Sequence, residues 1–368
     1  MKIAFFLRHL SLRGTETAIY DYADCNESIL GNQSYIFMFK KDKYLAYGLE
    51  YHDIIFTKFY KRFPVVFVNE YSDIDSLCLD LKIDLFYTLT FGLHWAQDYP
   101  YGYVNSVKTF VHCVFDTREP FGSIYVPISQ SINTLFNTNY PVLPHMVRIH
   151  DTKENMKSEL GISSDTIVFG RHGALDTFDI DFVKECITDI CNLDLPICFL
   201  FMNTERFITH PKVIFLESTA DPFIQQRFIN TTDAMIHARK QGETFGLACG
   251  EFALSMKPII SFTGSIERAH LDILGKHVIG YSDKESLHNI LVNFKPGAIS
   301  MENNGYLEYT PERIMKIFSK LIKLFLPLHN QGRRQPQFHI RCLNEFLRET
   351  IVFLQRKEGG VDVVLGWA

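Results

Sequence analysis

No run of apolar residues in this sequence approaches the roughly 18 that a membrane helix needs, so no spanning segment is expected. Residues 1–7 are mostly apolar, but the run is short and Arg8 and His9 end it, which does not fit a secretory leader. Eight cysteines are present, yet none forms a C-x-x-C pair and several sit inside apolar stretches. Neither a zinc site nor a disulfide framework is expected; buried free thiols in a cytoplasmic protein fit better. The sequence has no G-x-G-x-x-G and no Walker loop, which argues against a dehydrogenase and an NTPase. It has no G-x-S-x-G either, so a serine hydrolase elbow is missing. An excess of basic residues is also lacking. The formal net charge is −5, whereas a general nucleic-acid binder is usually basic, so no nucleic-acid partner is expected.

What is present suffices for two cores. With 368 residues, 46% hydrophobic and 21% charged, the chain is globular in composition and long enough for two domains. Short apolar runs alternate with helical stretches from the start: a strand at 2–7, a Gly-bearing polar loop at 9–16 and a helix over about 15–26. Further strands are read at 34–39, 64–68, 84–89, 107–112 and 124–128, with helices at 71–82 and 129–137. Two prolines within 140–149 disfavour helix and mark an extended linker. Beyond it the alternation restarts, with strands at 166–170, 197–202, 213–216, 234–237 and 258–262 and helices at 182–192, 222–230, 246–255 and 284–293. This is an α/β pattern of parallel βα units, met twice. The expected divisions are 1–145, 146–310, a helical segment at 311–358 and a tail at 359–368. Residues 312–325 carry apolar side chains at helical spacing. Residues 311–358 hold ten Lys or Arg against four Asp or Glu. A helix pair with a solvated basic face accounts for that excess; contact with an anionic membrane surface or acceptor is the functional alternative.

The most informative stretch is His237-Ala-Arg-Lys-Gln-Gly-Glu-Thr-Phe-Gly-Leu-Ala-Cys-Gly-Glu251. A strand ends here, a polar turn follows, and a helix begins near residues 244–246. Free N–H groups at such a helix start attract an anion such as a diphosphate. Thr244 is read as a cap for the helix, and Gly246 as the point where the backbone comes close to a ligand. Glu243 stands at the carboxyl end of a strand, where open α/β sheets bind ligands. Glu251 lies two helical turns further along the same face. A carboxylate there can accept two hydrogen bonds from the vicinal hydroxyls of a ribose. Without its surroundings, each glutamate would read as an ordinary surface charge.

The segment Glu243-Thr-Phe-Gly-Leu-Ala-Cys-Gly-Glu251 resembles the E-x(7)-E signature of retaining GT-B glycosyltransferases, especially family 4. The resemblance implies two Rossmann-like domains facing each other across a cleft, with C-terminal helices crossing back. By position it places Glu243 beside the donor sugar, Glu251 on the ribose, and the backbone of Thr244, Phe245 and Gly246 on the diphosphate. Arg13-Gly-Thr-Glu16 resembles the family's G-G-x-E loop, with only Gly14 matching; a plain strand-to-helix turn is the alternative. His112, ending a strand, resembles the histidine that reaches the donor sugar. Ser129, in Ile-Ser-Gln-Ser, resembles the serine segment before the linker and reads more simply as a helix cap. Phe169-Gly-Arg171 resembles the start of the G-R-L-x-x-x-K segment, whose arginine neutralises the leaving phosphate. The family lysine five positions on is Asp176 here. Either Arg171 acts without it, or Arg239 or Lys240 supplies the second cation.

The expected chemistry follows from charge. Breaking a sugar–diphosphate bond builds positive charge on the anomeric carbon and negative charge on the phosphate, which the helix start and Arg171 would stabilise without a metal cofactor. The resemblance implies retention, with a glycan or glycolipid hydroxyl as acceptor and the leaving phosphate as base. Closure across the linker would exclude water. Asp73-Ile-Asp75 and Asp179-Ile-Asp181 match the D-x-D metal motif of the other common transferase fold, but both sit at helix starts, where aspartate is ordinary. Two rival readings remain: a sugar-nucleotide epimerase of the same architecture, and a non-catalytic subunit that binds a nucleotide sugar.

Overall fold

The structure is a computed structural model that describes residues 1–94, 102–297 and 300–325. The first domain is a six-stranded sheet of β1 (Lys2–Leu7), β2 (Gln33–Phe39), β3 (Val65–Val68), β4 (Leu85–Thr90), β5 (Lys108–Cys113) and β6 (Ile124–Pro127). Its helices are α1 (Gly14–Ser28), α2 (Lys41–Ala46), α3 (Asp53–Arg62), α4 (Ile74–Asp80) and α5 (Gln130–Phe136). The strand order is β3-β2-β1-β4-β5-β6, and every neighbouring pair is parallel. A parallel sheet covered on both faces needs apolar side chains on both, and so Ile3 to Leu7 are all buried.

The second domain repeats the plan. Its strands are β7 (Ile167–His172), β8 (Ile197–Met202), β9 (Val213–Leu216), β10 (Ala234–His237), the two-residue β11 (Gly242–Glu243), β12 (Ile259–Phe262), the two-residue β13 (Glu267–Arg268) and β14 (Val278–Tyr281). Its helices are α6 (Asp181–Cys191), α7 (Pro222–Thr231), α8 (Leu247–Leu254), α9 (Ala269–Leu274) and α10 (Lys284–Asn293). The large sheet runs β14-β12-β10-β7-β8-β9, again all parallel, while β11 and β13 pair apart from it. Counted within each domain, both sheets have the order 3-2-1-4-5-6. That order reverses beside the first strand, and a crevice opens there at the carboxyl ends. The two crevices lie where β1 meets β4 and where β7 meets β10.

Among the described residues, the chain crosses between the halves twice. The linker is irregular, as its prolines predict, and is pinned by bonds from Leu143 N to Pro127 O (3.0 Å) and from Val147 N to Tyr309 O (2.9 Å). The second is α11 (Pro311–Phe325), which opens on a proline, a favoured first helical residue. It crosses back to the first domain, where fully buried Phe318 packs on Tyr22, Tyr87 and Phe110 with ring centroids 5.2–6.0 Å apart. The rest of the basic segment and the tail lie outside the described residues. Among the described residues, no helix is long and apolar enough to cross a membrane, and seven free cysteines are all buried.

The sequence reading misses α2, α3, α9 and β14. β14 is only Val-Ile-Gly-Tyr, four residues weakened by a glycine. In α3, exposed Ile54 and Tyr60 blur the amphipathic stripe made by buried Ile55 and Phe59.

Candidate active site

The carboxyl ends of the two sheets face each other across a cavity of about 350 Å³. From the first domain come Arg13, Gly14 and Thr15 at the start of α1; from the second come Arg171, Glu243 and the start of α8. Two helix N-termini thus border one cavity, each with unsatisfied N–H groups and positive dipole ends. The starts nearly touch, since a Cβ on Gly14 would lie 3.2 Å from Leu247 Cδ1.

The loop before α8 takes its shape from two glycines. Gly242 has φ of 84°, and a Cβ there would stand 2.0 Å from Glu267 O. Gly246 has φ of 85° and is itself the N-cap of α8, so the expectation that Thr244 caps this helix is corrected. The left-handed backbone that the turn requires suits glycine and leaves buried Thr244 on the cavity wall. Phe245 turns its ring into packing against His145, Tyr306 and Tyr309, and its carbonyl accepts from Tyr306 Oη at 2.6 Å. Only its backbone can serve a ligand.

Glu243 is held by two cationic or donating groups: His237 Nε2 at 3.2 Å and Arg239 Nη1 at 3.0 Å. Burial by itself would raise its carboxyl, but His237 and Arg239 outweigh burial and hold it down at about 2. Glu243 is therefore an anion at any ordinary pH. Behind it runs a buried chain: His237 Nδ1 lies 3.0 Å from Ser261 Oγ, which lies 3.0 Å from His270 Nε2. With His237 donating to the carboxylate, its Nδ1 accepts from the serine hydroxyl, which in turn accepts from His270. The orientation of Glu243 is thus fixed three residues deep.

Arg171 is a buried cation without a carboxylate at ion-pair distance among the described residues. Its guanidinium donates to Asn203 O (2.9 Å), Thr204 Oγ1 (2.5 Å), Ala174 O (2.7 Å) and Thr177 Oγ1 (2.5 Å). Burial draws it down to about 10, partly countered by Glu243, so it stays protonated at neutral pH. A charge buried among neutral oxygens is costly and calls for an anion nearby. Glu251 Oε2 comes within 2.9 Å of His172 Nε2, but the groups are not aligned as a hydrogen bond. That oxygen is buried with no hydrogen-bond partner among the described residues, while Glu251 borders the cavity.

Two candidates of the sequence reading are elsewhere. His112 is fully buried beneath the cleft, with Nδ1 2.6 Å from Tyr87 Oη and Nε2 2.6 Å from Leu143 O. Burial pushes it down to about 3, and its ring belongs to the first-domain core. His145 in the linker borders the cavity, as His172 and His237 do from the second domain, and its Nδ1 is buried without a partner among the described residues. Lys240 is exposed and off the cavity; its backbone N–H donates to Asp179 Oδ1 at 2.7 Å, which steadies the turn. Asp75 likewise accepts from Asn105 N, Ser106 N and Ser106 Oγ, as a loop staple. Ser129 stands at the N-cap position of α5, but its side chain makes no capping bond. Lys58 escaped the sequence reading. It borders the cavity from α3, and its spacing from buried Ile55 and Phe59 put it on the inward face.

Glu16 of the first loop is buried, and its Oε2 accepts from Ser11 Oγ and Thr15 Oγ1, each at 2.7 Å. Burial raises its carboxyl from 4.5 to about 7, against the pull of those hydroxyls. Between these values the folded chain keeps a proton that the unfolded chain has lost. Stability should therefore fall as pH rises from about 4.5 through about 7 and level off above. Glu16→Gln should remove this dependence and gain on the order of 3 kcal/mol over wild type in going from pH 4.5 to pH 8, read by denaturant unfolding at both.

No protein-family model and no curated protein matches this sequence. Solved structures do match. HepE of Anabaena, in complex with UDP and glucose, aligns with a TM-score of 0.65 at 13% identity, over 88% of this chain and 99% of that one. A glycosyltransferase of Rickettsia africae aligns at 0.57 and 12%, over 96% and 98%. MnaA of S. aureus with UDP aligns at 0.56 and 11%, over 91% and 100%. At such identities the likeness is one of fold, and it agrees with the two facing sheets and the helix that crosses back: this chain has the GT-B fold.

Proposed function

We propose that this protein is a glycosyltransferase that moves a sugar from a nucleoside-diphosphate sugar to a hydroxyl of a glycan, glycolipid or similar acceptor, with retention and without a metal. The observation that carries the reading is the presence, in one cleft, of a buried cation with no carboxylate at ion-pair distance among the described residues and an ionised carboxylate (Arg171 and Glu243). The diphosphate lies against Arg171 and the α8 start, and the ribose hydroxyls donate to Glu251 Oε2, which has no hydrogen-bond partner among the described residues. As the anomeric C–O bond breaks, the electron pair leaves with the phosphate, which Arg171 and the helix start stabilise. Glu243 faces the sugar and offsets the positive charge that develops there. The acceptor hydroxyl attacks from the side of the leaving group, and the phosphate takes its proton. The HepE and MnaA structures hold UDP, which makes uridine nucleotides the first probes.

The protein works in the cytoplasm, in keeping with its buried free thiols, and its basic segment at 311–358 meets anionic lipid at the inner membrane surface. The non-catalytic rival draws on Asp176, an acidic residue where a cation is expected. The test is nucleoside-diphosphate release from a panel of UDP- and GDP-sugars, with and without glycan acceptors. Release that depends on an acceptor supports transfer. Conversion of the donor sugar with no acceptor favours an epimerase, and binding without turnover favours the non-catalytic subunit.

A further inference from the structure

The cations around the cavity differ in how they are held. Arg171 has its fork filled by four neutral oxygens, and Arg239 is paired with Glu243. Lys58 is largely buried, over the Tyr20 ring at 4.5 Å and in the fields of Asp21 and Glu251. Arg13 stands apart. It is the N-cap residue of α1, on the first-domain lip, and its half-exposed side chain borders the cavity. It is held by two stretched ion pairs, Nε to Glu50 Oε1 at 3.5 Å and Nη1 to Asp176 Oδ1 at 3.4 Å, and both carboxylates are themselves about half exposed. Pairs of this length and exposure are weak.

Asp176 lies beyond β7 on the opposite lip, 163 residues away, so the Arg13 guanidinium spans the cleft mouth. Two positions where this sequence departs from the expected pattern, a cation for a glycine at 13 and an anion for a lysine at 176, meet here.

We propose that Arg13 is a further donor-binding residue, parked on Asp176 and Glu50 while the cleft is empty and transferred to the diphosphate when a nucleotide sugar enters. The first domain thereby supplies the second cation that the second domain lacks, and Asp176 competes with the ligand for it. The inference rests on the nucleotide-sugar reading above. A guanidinium fork matches phosphate oxygens better than a half-hydrated carboxylate at 3.4 Å. The released carboxylates return to water, to which they are already half exposed, so the exchange is cheap. It also draws the first domain towards the donor.

The experiment is calorimetric titration of wild type, Arg13→Gln and Asp176→Asn with UDP, or with GDP where that is the base bound, alongside Glu251→Ala. Uridine or guanosine, followed by saturation-transfer NMR, serves as the uncharged control. Arg13→Gln should weaken diphosphate binding about tenfold and leave the nucleoside unchanged, since the residue acts on phosphate. Asp176→Asn should tighten diphosphate binding about twofold to threefold, because it removes a competitor. Opposite signs for two ends of one ion pair are not what a structural latch produces. Arg13→Gln binding the diphosphate as wild type does, while Glu251→Ala loses it, overturns this inference alone. Equal losses for diphosphate and nucleoside in both lip variants overturn it as well. Wild type binding neither diphosphate overturns the underlying reading with it.

Discussion

Glu243→Gln should lower donor turnover about 10²- to 10³-fold while leaving nucleoside-diphosphate affinity within about threefold. The size is that of removing one preorganised electrostatic partner from a transition state, about 2.7–4 kcal/mol. The selectivity follows from where the charge acts. Glu243 is held as an anion by His237 and Arg239, with its carboxyl near 2, so it can neither give nor take a proton at neutral pH. In the proposed mechanism its contribution is fixed negative charge beside the sugar, which counts once positive charge develops at the anomeric carbon. Glutamine keeps the shape and one acceptor but loses the charge. The rate with the glutamine variant should therefore stay low across the pH range, with no recovery in acid or base. A loss of nucleotide affinity as large as the loss of rate would place Glu243 on the nucleotide instead.

Phe318→Ala should cost about 3–5 kcal/mol of stability, read as a shift in the denaturant midpoint, because it empties a fully buried aromatic site. The site is unusual in its position. Phe318 lies on α11, beyond the second domain in sequence, yet its ring sits among Tyr22, Tyr87 and Phe110 of the first domain. Truncation weakens that core and the α11 crossing between the domains. Hydrogen exchange should show faster opening along β4 and β5 as well as along α11. A cost below about 1 kcal/mol would mean that α11 is not integral to the first domain.

The sequence disclosed the fold well where the signals were local. The apolar runs at 197–202, 213–216 and 234–237 are strands with the same bounds in the structure, because each is a short buried run set off by polar or proline residues. The strand–turn–helix around Glu243 was legible for the same reason. Orientation was not. His112 and Cys113 end one strand and point to opposite faces, and which face turns to the cleft depends on the whole sheet. His145, which does reach the cavity, stood in a linker, where no periodicity assigns a direction. Arg239 and Lys240 are adjacent cations leaving β10, and the turn sends one to Glu243 and the other to solvent. The Arg13–Asp176 contact joins residues of different domains and has no local trace in the sequence.

The most direct test of the central claim is a thermal-stability titration of the purified protein with UDP, GDP and their common sugar conjugates, with Glu251→Ala in parallel. One nucleotide series, near 100 times its dissociation constant, should add roughly 2.7 kcal/mol of stability to the wild type. No such gain is expected for the variant, whose fold is checked by its own cooperative unfolding transition without nucleotide. Stabilisation of both proteins alike would contradict the assignment of Glu251 to the ribose, and no stabilisation of the folded wild type by any of these nucleotides would contradict a nucleotide-sugar site in this cleft.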